Sequence, residues 1–245
     1  MRDLKQYELD YQNLRFEGTQ TKYRKRKLLE FLKRDVPHNV LEIGCGLAPL
    51  FLEYTEFEEY DIVEPTRLFH ERAAELSKGD DRIKVHFGRL EDTYHGLAGR
   101  KFDSIVLSSL LHEVEDPQSF LGATGALCGE HTIVHIVVPN AYSLHRLIGV
   151  KMGLMQDAHE SSSTQQKMQQ VRCFDLASLT ELLKSSGFEV EESGTFFLKP
   201  FTHEQMATLQ EIGLLTDQML EALYAMDEYT PSLGSEIYVN ARKVL

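Results

Sequence analysis

The chain has 245 residues, 42% hydrophobic and 26% charged, enough to bury the core of one α/β domain and unlike a disordered or fibrous sequence. Its formal net charge of -12 opposes binding to the phosphates of bulk nucleic acid. There is no apolar run of the roughly eighteen residues a membrane helix needs, the polar start is no signal peptide, and Cys45, Cys128 and Cys173 lack metal or disulfide spacing, so a cytoplasmic protein with reduced thiols is expected.

From Asp3 to Arg34 the residues Leu4, Tyr7, Tyr11 and Leu14, then Leu28, Leu29, Phe31 and Leu32, recur at helical intervals. Two helices are expected, broken at Gly18, and residues 1–35 read as a helical cap ahead of a main domain over 36–245. Lys22-Tyr23-Arg24-Lys25-Arg26-Lys27 puts five cations among six residues. It reads as a solvated helix face, with the grip of an anionic or phosphorylated substrate as the alternative.

Asn39–Ile43 is a short, mostly apolar strand that turns sharply at Gly44-Cys45-Gly46. A strand at Tyr60–Val63, a helix at Thr66–Ser77, strands at Ile83–Phe87 and Phe102–Leu107, a helix at Pro117–Leu127 and a strand at Thr132–Val138 follow. That alternation is the rhythm of crossover units on a parallel sheet. Residues 141–172 depart from it, with an amphipathic piece at Tyr142–Val150 and a polar stretch at Glu160–Gln170. The rhythm resumes with a helix at Asp175–Ser185, stopped by Gly187, and a strand at Phe188–Phe197. A second insert at 200–233, helical from His203 to Asp227, precedes the last strand at Ser235–Arg242. The expected architecture is a doubly wound α/β fold: a seven-stranded, mostly parallel sheet with an antiparallel last strand. The N-terminal helices and both inserts are its cover over a substrate pocket.

Glycines at 44 and 46 let backbone amides approach a ligand, since no Cβ blocks the way or forbids a positive φ. Glu64 stands 22 residues after Glu42, at the end of the second expected strand, where a carboxylate accepts hydrogen bonds from ribose hydroxyls. The nicotinamide-binding G-x-G-x-x-G pattern fails, because its third glycine position is Pro49. Glu42-Ile43-Gly44-Cys45-Gly46-Leu47-Ala48 resembles the E-x-G-x-G-x-G motif of class I S-adenosylmethionine-dependent methyltransferases of the small-molecule type, with Ala48 replacing the third glycine. Leu107-Ser108-Ser109-Leu110-Leu111-His112 resembles the fourth-strand motif of that family, and the resemblance covers roughly 36–138 plus the terminal strand pair.

The resemblance implies S-adenosylmethionine as cofactor and S-adenosylhomocysteine as product. It implies a donor site of Glu42, Gly44, Cys45 and Gly46, with Glu64 and Pro65 at the ribose, Leu90, Glu91 and Asp92 framing adenine, and Ser108 and Ser109 facing the methionine part. Methyl transfer is an in-line displacement that depends chiefly on alignment. A hydroxyl acceptor must also lose its proton, and His112, just after the fourth strand, is the expected base, against the alternative of a structural histidine. Glu113 is expected to point away from it, as sequence neighbours on a helix do.

Tyr7, Tyr11, Asn140, Tyr142 and His145 are the expected acceptor contacts, and His159 and His203 are expected on solvated surface. No metal site is expected. The function read from these residues is O-methylation of a small molecule, such as a natural-product, quinone or surface-glycan metabolite, by a monomer or homodimer. N-methylation, or a tRNA or protein acceptor, is the alternative within the enzyme class; a non-catalytic donor-binding or scaffold protein is the alternative outside it.

Overall fold

In the computed structural model, which describes residues 3–244, the apolar runs become seven strands of one sheet. They are β1 (Asn39–Ile43), β2 (Glu59–Glu64), β3 (Ile83–Phe87), β4 (Phe102–Ser108), β5 (Cys128–Pro139), β6 (Phe188–Phe196) and β7 (Glu236–Lys243). Met1, Arg2 and Leu245, at the ends of the expected cap and main domain, lie outside the described residues. The strand order is β3-β2-β1-β4-β5-β7-β6. Strands β1 to β5 pair in parallel, and β7 runs antiparallel to both β5 and β6.

Side chains alternate across the sheet, so each strand feeds two cores. Val40, Tyr60, Ile62, Val106 and Val137 join a cluster on one face, and Leu41, Ile43, Val63, Ile105, Leu107 and Ile136 join a cluster on the other. Helices cover both. They are α1 (Leu4–Gln12), α2 (Glu17–Asp35), α3 (Arg67–Leu76), α4 (Leu90–Thr93), α5 (Pro117–Ala126), α6 (Leu144–Lys151), α7 (Ser163–Lys167), α8 (Leu176–Ser185), α9 (His203–Glu211) and α10 (Asp217–Ala225). Their starts follow local chemistry: Asp116, Asp175 and Thr202 each accept a hydrogen bond from a first-turn N–H of α5, α8 and α9. Among the described residues no helix is long and apolar enough to cross a membrane.

The expected break at Gly18 is corrected. The two N-terminal helices part at 13–16, and Gly18 sits in the first turn of α2. The bend is held at Phe16, whose φ of 67° lies in the left-handed region that a bulky residue seldom adopts. Its ring is buried and stacked 6.4 Å from Phe197, so packing against the core outweighs the backbone preference that a glycine would have satisfied.

Between β1 and β4 the strand order reverses, because the chain leaves β1 toward β2 and β3 and returns to β1's other edge. In a doubly wound sheet, that point opens a crevice beyond the carboxyl ends of the strands. Both inserts and α1 gather there.

Candidate active site

A cavity of about 900 Å³ occupies the crevice, and the turns after β1, β2, β4 and β5 form its floor. Gly44 and Gly46 have φ of 75° and 58°, and both line it. The Gly44 N–H donates to the Val63 carbonyl at 2.9 Å, which ties the turn to β2. A Cβ on Gly46 would project toward the Tyr11 hydroxyl at 3.9 Å, into the space between turn and cover. Glu64 is buried at the end of β2, where its carboxylate accepts from the Thr66 N–H at 2.8 Å and the Gly46 N–H at 3.4 Å. Burial raises the Glu64 carboxyl above its ordinary range, against those two N–H groups.

Beneath the turn, Glu42 accepts from the Leu50 N–H at 3.0 Å and the Tyr60 hydroxyl at 2.9 Å. Burial brings its carboxyl up to about 7. Cys45 is buried with its sulfur 3.8 Å from Glu64 Oε2, and burial pushes the thiol up, so it is no nucleophile. Ser109 takes a φ of 55° while its N–H donates to the Val137 carbonyl at 2.8 Å, which turns the chain sharply out of β4. Pro65, Ser108 and Ser109 all line the cavity.

The roof over this end is aromatic. Tyr7 and Tyr11 from α1 lie 6.3 and 5.6 Å from the Phe69 ring of α3, and Met168 is buried in the same cluster. Several other expected site residues stand elsewhere. Leu90 is packed into the core at the start of α4, so Leu90, Glu91 and Asp92 are not among the lining residues and Phe69 takes the wall instead. Tyr142 faces outward at 46% exposure, its ring 5.2 Å from His159. Asn140 lines the cavity, yet its amide donates to the Ser232 and Gly234 carbonyls at 3.1 and 2.8 Å and accepts from the Tyr142 N–H at 2.9 Å, so it secures the loops.

His112 sits in a tight turn over Leu111–Glu113, 1% exposed. The wall passes from Leu110 to Glu113 and leaves His112 behind it, its carbonyl accepting from the Val171 and Arg172 N–H groups at 3.1 and 3.2 Å. The expectation that Glu113 points away is overturned. The turn brings Glu113 Oε1 within 3.8 Å of His112 Nε2.

A buried ionic cluster also lines the cavity. Arg24 of α2 reaches Glu17 at 3.2 Å and Glu236 of β7 at 2.8 Å, and Gln20 donates to Glu236 at 2.8 Å. Lys199, beyond β6, donates to Nδ1 of His203 at 2.9 Å, and His203 Nε2 lies 3.7 Å from Glu17. Burial alone would raise Glu17, but Arg24 and His203 outweigh it and hold its carboxyl at about 2. His145 completes the wall.

These features meet in a known family: one described as Methyltransferase domain matches residues 16–193. The chain belongs to this methyltransferase family. No curated protein matches its sequence. The methyltransferase is similar in structure to the plantazolicin methyltransferase BamL, solved with S-adenosylhomocysteine, at 15% identity and a TM-score of 0.61 over 93% of this chain and 87% of that one. It also resembles the [4+2]-cyclase SpnF at 13% identity and a TM-score of 0.59, covering 90% of this chain and 82% of that one. The N-methyltransferase NodS from Bradyrhizobium japonicum follows at 11% identity and a TM-score of 0.56, over 91% of this chain and 87% of that one. At these identities the likeness is one of fold, a Rossmann-like sheet of the class I S-adenosylmethionine-dependent enzymes.

The donor accords with the residues present. Two positive-φ glycines leave a cradle that side chains would fill, and a buried carboxylate stands at the next strand end. What sequence reading missed in the methyltransferase is the ionic end. The run Lys22–Lys27 is a solvated face only in part: Lys22 and Arg26 are exposed, but Arg24 and Lys25 are buried in the cavity wall. Its cations already have acidic partners, Arg24 as above, Lys25 on Glu53, Arg26 and Lys22 on Glu221, and Lys27 on Glu30. The anionic-grip alternative therefore loses its free charges. His203, expected on the surface, is half-buried and lines the cavity. The available signal was that Glu17, Gln20 and Arg24 share a helical face with the core residues Leu28 and Leu32.

Proposed function

We propose that this methyltransferase moves a methyl group from S-adenosylmethionine to the hydroxyl oxygen of a small-molecule acceptor. The observation that carries the reading is one cavity lined both by a glycine turn with buried Glu64 and by a buried polar cluster. Its roof is made by α1 and both inserts, which suits an acceptor small enough to be enclosed. The bound donor supplies an electrophilic methyl group. Gly44 and Gly46 leave it room where a Cβ would intrude, Glu64 accepts its ribose hydroxyls, and Tyr7, Tyr11 and Phe69 cover it.

Oxygen is favoured over nitrogen by the charge of the polar cluster. Its two carboxylates, Glu17 and Glu236, are balanced by Arg24 and the protonated form of Lys199, so it carries no net negative charge to attract a cationic amine. Alignment in a closed site provides most of the rate, and exclusion of water from the methyl group protects it from hydrolysis.

Calorimetry with S-adenosylhomocysteine should give micromolar affinity for the wild type. Glu64→Ala should weaken it by about a hundredfold, the worth of two hydrogen bonds to a buried carboxylate. Wild-type protein that binds no nucleoside would favour the scaffold reading, and full affinity in the variant would move the ribose elsewhere. A coupled assay for S-adenosylhomocysteine over hydroxyl, amine and phosphorylated acceptors tests the oxygen assignment, which turnover of amines alone would reverse.

A further inference from the structure

A lysine with almost no exposure is an unusual wall for a cavity, because removing an ammonium from water is costly unless its charge is matched. Lys199 is 2% exposed and lines the cavity beside Glu17, Arg24, His203 and Glu236. Among the described residues its Nζ makes one hydrogen bond, to Nδ1 of His203 at 2.9 Å, although an ammonium has three protons to donate. The groups that act on it come from every packed element: Glu17 and Arg24 from α2, Arg146 and His145 from α6, His203 from α9 and Glu236 from β7. The two carboxylates are shared with Arg24, so they match the lysine's charge only in part. The cluster adjoins the donor end through Tyr11, whose hydroxyl feels Glu17 and Arg24 and stands next to Gly46.

We propose that Lys199 is the base that takes the proton of the methylated hydroxyl, and that the acceptor is an acidic hydroxyl of the phenol or enol class. The proposal rests on the methylation reading above and names the substrate class it would serve. Geometry selects the lysine from the titratable groups in and around the cavity. His112 stands behind the wall. His145 and His203 reach the cavity, but burial and the Lys199 charge depress both imidazoles, so they remain neutral hydrogen-bonding partners and hold a proton poorly. Glu17 is pinned in ionised form by Arg24. Burial lowers Lys199 itself to about 8, where a useful fraction is free amine near neutral pH. An amine of that basicity is matched to a phenol, whose ordinary value is about 10, far better than to an aliphatic alcohol.

In the transfer the acceptor O–H bond breaks and its proton joins the lone pair on Lys199 Nζ. The oxygen's electron pair forms the new O–C bond as the C–S bond of the sulfonium donor breaks, its pair staying on sulfur. One positive charge thereby passes from sulfur to a lysine that faces Glu17 and Glu236.

Two measurements test this. Competitive acetylation with acetic anhydride from pH 6 to 10, mapped by mass spectrometry, should give Lys199 a midpoint near 8, well below that of exposed Lys22. A midpoint equal to that of Lys22, or no acetylation of a lysine said to line an open cavity, overturns the proposal. With 4-methoxyphenol as phenol, acetylacetone as enol, and benzyl alcohol and benzylamine as controls, methyl transfer should favour the first two and rise with pH to a plateau above about 8. Lys199→Met should lower that turnover at least a hundredfold while S-adenosylhomocysteine affinity stays within a factor of two. Lys199→Arg, which keeps the charge but accepts no proton, should not restore it. An active Lys199→Arg would make the lysine a binding charge and sink the base assignment. Failure of the methylation reading shows separately, as wild-type protein that binds no S-adenosylhomocysteine.

Discussion

Glu42 and Glu64 stand on adjacent parallel strands, and both carboxylates are buried against the same glycine turn. Their partners differ. Both line the cavity, but Glu64 meets the Thr66 and Gly46 N–H groups, whereas Glu42 is held by Leu50 and Tyr60. Because burial raises the Glu42 carboxyl to about 7 from its ordinary 4.5, folding binds a proton at that site. The associated stability is therefore complete below about 4.5 and is lost as pH rises toward 7, by about 3 kcal/mol in all. Glu42→Gln keeps an acceptor for Leu50 and Tyr60 and removes the titration. Urea unfolding from pH 5 to 8.5 should show a flatter profile for the variant, with the two proteins diverging in its favour as pH increases. Parallel profiles would return Glu42 to ordinary acidity. At this scale the sequence was legible where the signal is local: the turn and the acid at 64 are fixed by spacing along one strand-turn-strand path. Lys199, Glu17 and Glu236 come from three distant segments, and no spacing links them. His112 shows the converse limit, since closeness to a strand end does not decide which way a side chain turns.

The elements were readable because a central strand such as β1 is mostly apolar and an edge strand such as β6 alternates, and all seven runs became strands. The inserts were recognisable only as departures from that rhythm, and what holds them had no local signature. In the first insert one side chain makes several of the contacts. Arg146 of α6 donates through Nε and Nη2 to the Ala158 carbonyl at 3.0 and 2.7 Å, to the Glu160 carbonyl at 2.6 Å, and through Nη1 to Gln165 at 2.8 Å. A charged donor with several acceptors is worth more than any neutral pair nearby, so the path from 158 to 165 depends on it. Arg146→Met should expose this stretch to proteases ahead of the sheet, and limited chymotrypsin digestion followed by mass spectrometry should place the first cuts between 150 and 171. Turnover should fall tenfold or more, because the same stretch lines the cavity through Ser162, Thr164 and Gln165. First cuts in α9 or α10 instead would mean that Arg146 is not what secures the insert.

Across the whole molecule the cavity collects lining residues from near both ends of the chain, from Leu4 on α1 to Glu236 on β7. A ligand seated there engages segments far apart in sequence, so binding and global stability should be coupled. For a single site, a ligand at a hundred times its dissociation constant adds about 2.7 kcal/mol to the folded state. In a chain of this length that corresponds to a rise in Tm of about 5–10 °C. S-adenosylhomocysteine should therefore raise Tm by that amount in a scanning fluorimetry experiment, and Glu64→Ala should show almost none at the same concentration. The shift should also survive an increase of salt from 0.05 to about 0.5 M. The carboxylate at 64 is 2% exposed and acts through short hydrogen bonds, so mobile ions screen it far less than the surface pairs of Arg15 with Glu204 and Glu211. A shift that collapses with salt would instead place the nucleoside on the charged exterior, where a protein of net charge -12 has many acidic groups and no buried cradle.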